Sequence, residues 1–192
     1  MSNISNVQAD SRAAGGTASV RAQRGFTLLE LITTVTVAGI LMAVAVPSFF
    51  NTSRSSHAAA DANELVSALS IARSEAIRRA SRITVCPSSD GASCTGTWVD
   101  GWIVFVDTAA TDATDPPVVG TVLRVSPPPT GSPAITGGSD WIRFLPRGYA
   151  RSKSGAMPVT YTITVRGCTA QQARTVEING VGRATAARAN CP

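Results

Sequence analysis

The chain has 192 residues, a formal net charge of +5, four cysteines and one histidine. It is 44% hydrophobic and 15% charged, too apolar for a disordered chain and short enough for one ordinary domain beside a membrane segment. The lone His57 lies in a polar stretch and no CxxC pair occurs, so neither a zinc site nor a Ser-His-Asp arrangement is expected. The acidic residues form no acid-base or metal motif, and neither catalysis nor a cofactor is expected.

Residues 1–25 are rich in Ser, Ala and Gly, read as an unstructured leader, and include Arg21 and Arg24 near their end. From Phe26 to Phe50 the chain is mostly apolar and carries no charge apart from Glu30. A helix over those residues would extend roughly 37 Å, enough for a hydrocarbon core of about 30 Å. Residues 26–50 are therefore expected to span a membrane, with the arginines holding the leading end in the cytoplasm. A secretory signal would have a shorter apolar run and a small-residue cleavage site, which "PSFF" does not offer. Glu30 sits near the end of the run, where a charge costs less than the roughly 2.5–3.5 kcal/mol it would cost at the centre. It either snorkels to the interface or meets a positive partner. A cut between Gly25 and Phe26 would create that partner, a cationic amine on Phe26.

Gly25-Phe26-Thr27-Leu28-Leu29-Glu30, followed by an apolar helix containing Gly39 and Pro47, resembles the processing and N-methylation signature of type IV pilins and type II secretion pseudopilins. The resemblance implies cleavage after Gly25 and methylation of Phe26 by a prepilin peptidase/N-methyltransferase of the bacterial inner membrane. It also implies that Glu30 pairs with the N-terminal amine of a neighbouring pilin or pseudopilin during assembly. Leaders in that family are commonly short, and a start at Val20 would leave a compact basic one.

Residues 51–192 make up the expected exported domain. Ala58, Ala62, Leu65, Leu69, Ala72 and Ala76 recur at helical spacing, placing a helix over 55–80 with a narrow apolar face. Glu75 and Arg79 can pair on its other side. This helix is expected to continue the membrane helix, weakened at Gly39 and Pro47. Residues 82–192 read as β-rich, with strands at 82–86, 98–106, 121–125, 141–145, 161–167, 175–178 and 181–185 in an antiparallel sheet. Asn179-Gly180 marks a tight turn between the last two. "DTAATDATDPP" and "SPPPTGSPAITGGS" are expected to be irregular.

Four cysteines in an oxidising compartment are expected to pair. Three pairings are open, with a free buried thiol as the alternative at each position. Spacing favours Cys86 with Cys94 and Cys168 with Cys191.

The stretches "ANELVSALSIARSEAIRRASRITVCPSSDGASC", "GWIVFVD" and "INGVGRATAARANC" resemble the GspH/FimT group of minor pseudopilins. The fold implied is α+β and type IV pilin-like: a long N-terminal helix, membrane-spanning in its first half, packed on an antiparallel β-sheet domain. The function implied is a structural subunit of a type IV pilus, single-pass in the inner membrane with its domain in the periplasm. The alternative is a GspH-like subunit of type II secretion. Between Thr84 and Ile142 a single arginine faces six aspartates, whereas from Arg143 onward eight cations face Glu177. The FimT branch implies that Arg183 and Arg188 in this basic third bind double-stranded DNA for uptake. Its GRxR motif is incomplete here, because Thr185 stands where a second arginine would be.

Overall fold

The computed structural model describes residues 25–109 and 115–192. The expected leader before Gly25, the Val20 start and residues 110–114 of the first linker lie outside the described residues. The described chain falls into two units, divided after Met42.

Helix α1 runs from Leu28 to Arg79 and remains helical through Gly39 and Pro47. In the first unit its apolar side chains point away from the chain: Leu28, Leu29, Ile32, Val35, Ile40 and Leu41 are all exposed. The threonines among them return their hydroxyls to the helix. Thr33 donates to Glu30 O at 3.0 Å, Thr34 to Leu31 O at 2.9 Å and Thr36 to Ile32 O at 2.7 Å. Each of these three hydroxyls is thus satisfied within the helix, the condition a lipid-facing surface imposes. The most apolar 18-residue window has a mean hydropathy of 2.1 and none of it is buried, so by length and composition α1 can cross a membrane.

In the second unit the character of α1 reverses. Ala58, Ala62, Leu65, Leu69, Ala72 and Ala76, the face read from the sequence, are fully buried together with Ala68. Small residues let the backbone approach the sheets closely, and each buried leucine contributes roughly 1.5–3 kcal/mol of burial. On the outer side Glu75 accepts from Arg79 at 2.6 Å and from Arg78 at 2.5 Å.

The β-rich part contains nine strands among the described residues: β1 Ile83–Pro87, β2 Trp102–Asp107, β3 Val119–Ser126, β4 Pro133–Gly137, β5 Ile142–Phe144, β6 Ala150–Ser152, β7 Val159–Val165, β8 Ala173–Ile178 and β9 Ala184–Ala189. They form two antiparallel sheets, ordered β3-β2-β1-β5-β6 and β4-β7-β8-β9, where the sequence suggested one. Helix α1 lies against both. Its alanines and leucines share a core with Ile83, Val85, Trp102 and Phe144 of the first sheet and Tyr161, Ile163, Val176 and Ile178 of the second. On the far face of the first sheet, Cys86, Ile103, Phe105 and Trp141 form a smaller cluster.

Two strands were not anticipated. β4 falls inside the Pro-rich linker expected to be irregular; it starts at Pro133 and pairs only with β7, an edge position where a missing N–H is tolerated. β6 is only three residues long. The segment 98–106 is interrupted, because Trp98–Asp100 forms a 3-10 turn and Gly101, at φ +102, starts the strand afresh.

The β8–β9 hairpin differs in register. A two-residue Asn179-Gly180 turn would place Ile178 opposite Val181, but Ile178 pairs with Ala184 and Arg174 with Arg188. The loop spans residues 179–183, closed by Asn179 N to Arg183 O at 3.1 Å and by Gly182 N to Asn179 O at 2.9 Å. The Asn179 side chain accepts from Arg183 N at 2.9 Å. Gly182 rather than Gly180 adopts positive φ, +79, and a Cβ there would meet Gly148 O at 2.1 Å.

Both disulfides pair as the spacing favours: Cys86–Cys94, with Cα atoms 5.6 Å apart, and Cys168–Cys191, at 5.8 Å. In the chain-entropy account, closing loops of these lengths contributes roughly 2.5 and 3.5 kcal/mol.

Candidate functional site

The residues that carry the N-terminal signature meet at the start of α1. Thr27 caps the helix: its hydroxyl accepts from Glu30 N at 3.2 Å, and its carbonyl accepts from Leu31 N at 3.1 Å. Thr27-x-x-Glu30 is thus the pattern of a capping box, a local role for the pair that the apolar periodicity concealed. Only half of the box is closed. The Glu30 carboxylate accepts no hydrogen bond among the described residues, although a negative charge in a first helical turn is favoured by the helix dipole. Phe26 is 82% exposed, and nothing lies within 4 Å of the position a Cβ on Gly25 would occupy. Gly25, Phe26 and Glu30 therefore form an accessible segment leading into an apolar helix.

Arg183 and Arg188, the two arginines expected to bind DNA, do not meet. Both are exposed, but Arg183 leaves the 179–183 loop and lines a depression with Ser70, Arg73 and Ser74. Arg188 lines another with Asn51, Ser55 and Arg174. Five residues of extended chain separate them by about 17 Å. The Cys168–Cys191 closure lies at the Arg188 end, where Cys191 N donates to Ala170 O at 2.8 Å.

Arg174 was not singled out from the sequence. It is 8% exposed, and its guanidinium donates to the carbonyls of Gln171, Gln172 and Ala173 and to Ser55 Oγ at 3.0 Å. Burial lowers its pKa, and the neighbouring Arg188 charge acts in the same direction. The hairpin register brings Arg174 opposite Arg188, so a correct loop length was the signal that would have revealed the pair.

His57 Nδ1 lies 3.4 Å from Thr130 Oγ1. Asp61, one turn further along α1, is buried with one carboxylate oxygen lacking a partner; burial raises its pKa against the opposing effects of the Thr130 backbone and the His57 charge.

An exposed apolar helix that begins at a capped glutamate, and whose continuation is buried by antiparallel sheets, defines a pilin-like structural subunit. The chain belongs to the GspH family: the profile described as type II transport protein GspH matches residues 61–182, and the prokaryotic N-terminal methylation motif matches residues 20–46. In fold it is similar to the type IV minor pilin FimU of Pseudomonas aeruginosa, with a TM-score of 0.50 and 20% identity over 70% of this chain and 88% of that one. A second crystal form of FimU gives a TM-score of 0.49 and 21% identity over 67% of this chain and 90% of that one. No curated protein matches the chain at a significant level.

Proposed function

We propose that the chain is a minor pilin of a type IV pilus, anchored in the bacterial inner membrane by residues 26–50 with residues 51–192 in the periplasm. In this reading the leader 1–25 is removed by cleavage after Gly25, Phe26 is methylated, and Glu30 neutralises the amine of an adjacent pilin. The observation that carries it is the Glu30 carboxylate, unbonded among the described residues and set at the head of an apolar helix whose side chains none of the described residues covers. An assembly in which such helices bundle would bury both the apolar surface and the charge, and a buried carboxylate needs a cation. Glu30→Ala tests this: the variant should be cleaved normally yet fail to enter filaments. Normal incorporation of the cleaved variant would sink the assembly role.

The family description favours a second reading, a minor pseudopilin of type II secretion. A clean deletion separates the two, through lost twitching and DNA uptake in one case and accumulated exoproteins in the other. Within the pilus reading, duplex DNA is a further partner. Its support is the exposure of Arg183 and Arg188 in the basic C-terminal third, and the duplex would have to bridge two separate depressions. Binding should then be sequence-independent and should weaken steeply with salt as counterions are released. An Arg183→Gln, Arg188→Gln variant with an unchanged salt slope would remove DNA from the list.

A further inference from the structure

The depression around Arg174 and Arg188 has the composition of an anion site. It is lined by Asn51, Thr52, Ser55, Ser56, Ala59 and the two arginines. Arg174 is more than nine-tenths buried, yet every group it touches is neutral: three backbone carbonyls and the hydroxyl and carbonyl of Ser55. Arg188 stands directly across the hairpin from it, and its side chain makes no hydrogen bond or ion pair among the described residues. A third guanidinium, that of Arg54, lies against the β7–β8 loop, its Cζ 3.3 Å from the Cβ position of Gly167. None of the three forms a salt bridge among the described residues. A buried cation facing a second one across the hairpin is unfavourable unless an anion joins them.

The position of the pocket indicates which anion. Asn51 and Thr52, which line it, follow Phe49 and Phe50, the exposed aromatic pair that ends the apolar run. If residues 26–50 span the bilayer, Asn51 leaves it at headgroup level, where aromatic residues concentrate and lipid phosphates lie. The cations come from the far end of the chain, delivered by the hairpin after export. They are therefore outside the short flanking segments whose positive charge governs insertion.

We propose that Arg174 and Arg188, with Ser55 and Thr52, hold the phosphate of an anionic glycerophospholipid at the membrane exit of α1. This rests on the membrane-spanning reading of residues 26–50. Two guanidiniums supply the charge-assisted donors that a phosphate accepts, the Ser55 hydroxyl, which accepts from Arg174, supplies a neutral one, and Thr52 Oγ1 supplies another by turning from Ser48 O, to which it donates at 3.1 Å. The bound lipid would tie the second sheet to the bilayer surface and supply the countercharge that the described residues do not.

The full chain would be reconstituted in vesicles of phosphatidylcholine with and without phosphatidylglycerol, extracted, and its retained lipids counted by native mass spectrometry. Alkaline extraction of the same vesicles reports insertion. The wild type should retain phosphatidylglycerol preferentially. Arg188→Gln should lower that preference roughly fivefold, the weight of one cation near an anionic surface, and Arg188→Lys should restore most of it. The Arg188 side chain is exposed and bonds to nothing among the described residues, so its variant is expected to stay folded even if Arg174→Gln does not. Equal retention of both lipids by a properly inserted chain, or a preference unchanged in Arg188→Gln, would overturn the site. Release by alkali from both kinds of vesicle would overturn the membrane reading instead. Displacement of the lipid by millimolar inorganic phosphate would assign the pocket to the free anion, and Arg188-dependent displacement by duplex DNA would assign it to nucleic acid; either overturns the lipid.

Discussion

Asp107 and Arg143 form an ion pair sealed from solvent, with Arg143 Nη2 2.7 Å from Asp107 Oδ2 and both side chains fully buried. The pair joins β2 to β5 across the central strand β1, whose Thr84 donates to the same carboxylate oxygen at 2.7 Å. The other oxygen accepts from the backbone of Ala109 and Val118, both at 3.0 Å. Arg143 also lies over the Trp141 ring, 4.7 Å from its centroid. Burial pushes the Asp107 carboxyl up, but these hydrogen bonds and the Arg143 charge outweigh it, so its pKa lies below the ordinary value.

The depressed pKa fixes the sign of a pH effect. Stability from the pair is present above the unfolded pKa of about 4 and is lost as pH falls through the lower folded value. Urea unfolding of the full chain in neutral detergent should show a midpoint that is steady near neutrality and drops below about pH 4, with a shallower drop in Asp107→Asn. Arg143→Ala, which leaves a buried carboxylate unpaired, should cost about 3–5 kcal/mol at neutral pH. A loss under about 1 kcal/mol would show that solvent reaches the pair.

Gly182 tests the hairpin loop. A Cβ there would sit 2.1 Å from Gly148 O on a backbone at φ +79, whereas at Gly180 the only neighbour is Met157 Cβ at 3.7 Å. Gly182→Ala should therefore destabilise by about 2–4 kcal/mol, and Gly180→Ala by less than about 0.5. The reverse order of effects would mean that the tight turn suggested by Asn179-Gly180 is the one that forms.

The comparison of these two glycines also shows what the sequence could reveal. The buried face of α1 was legible because helical periodicity and burial have one cause: Ala58, Leu65 and Ala72 share a face wherever the helix forms. The disulfides were legible because short spacing leaves few other closures. The hairpin register was not, because an Asn side chain capping its own loop competes with the two-residue turn, and the local sequence carries both signals. A shift of three in the pairing sum moves residues to the opposite face of the strand, so the Arg174–Arg188 juxtaposition was hidden with it. β4 was hidden for a different reason: its edge position tolerates the prolines and glycines that locally signal a loop. At the N-terminus, Gly25, Phe26 and Glu30 were legible as a motif, but the Thr27 cap that orients Glu30 was overlooked beside the stronger apolar signal.

The C-terminal disulfide should act locally. β9 is an edge strand that pairs only with β8, its side chains are mostly exposed, and Cys191 ties its end to Cys168 in the β7–β8 loop. A Cys168→Ser, Cys191→Ser variant should show faster amide exchange in residues 184–189, while β1 and β2 keep their protection. The gain in opening should not exceed roughly 3.5 kcal/mol, the closure entropy of the loop. Uniform acceleration through β1 and β2 would mean that the bridge stabilises the whole fold rather than its edge.

In the proposed reading, processing depends on the residue before Phe26. Gly25 and Phe26 lie outside α1, which begins at Leu28, and no atom of the described residues crowds the Gly25 Cβ position, so those residues would accommodate a larger side chain there. Any defect in Gly25→Leu must then arise in the peptidase, whose cleft has to admit the residue on the leader side of the cut. The variant should be made at normal levels, remain in the inner membrane as uncleaved precursor and retain an unmethylated leader. Glu30→Ala should instead show a mature N-terminus at Phe26. Mass spectrometry of the intact proteins from the membrane fraction distinguishes the two, since cleavage removes the leader and methylation adds a fixed increment. A Gly25→Leu chain with the mature mass would show that the cut is made elsewhere, and the partner assigned to Glu30 would have to be found outside the Phe26 amine.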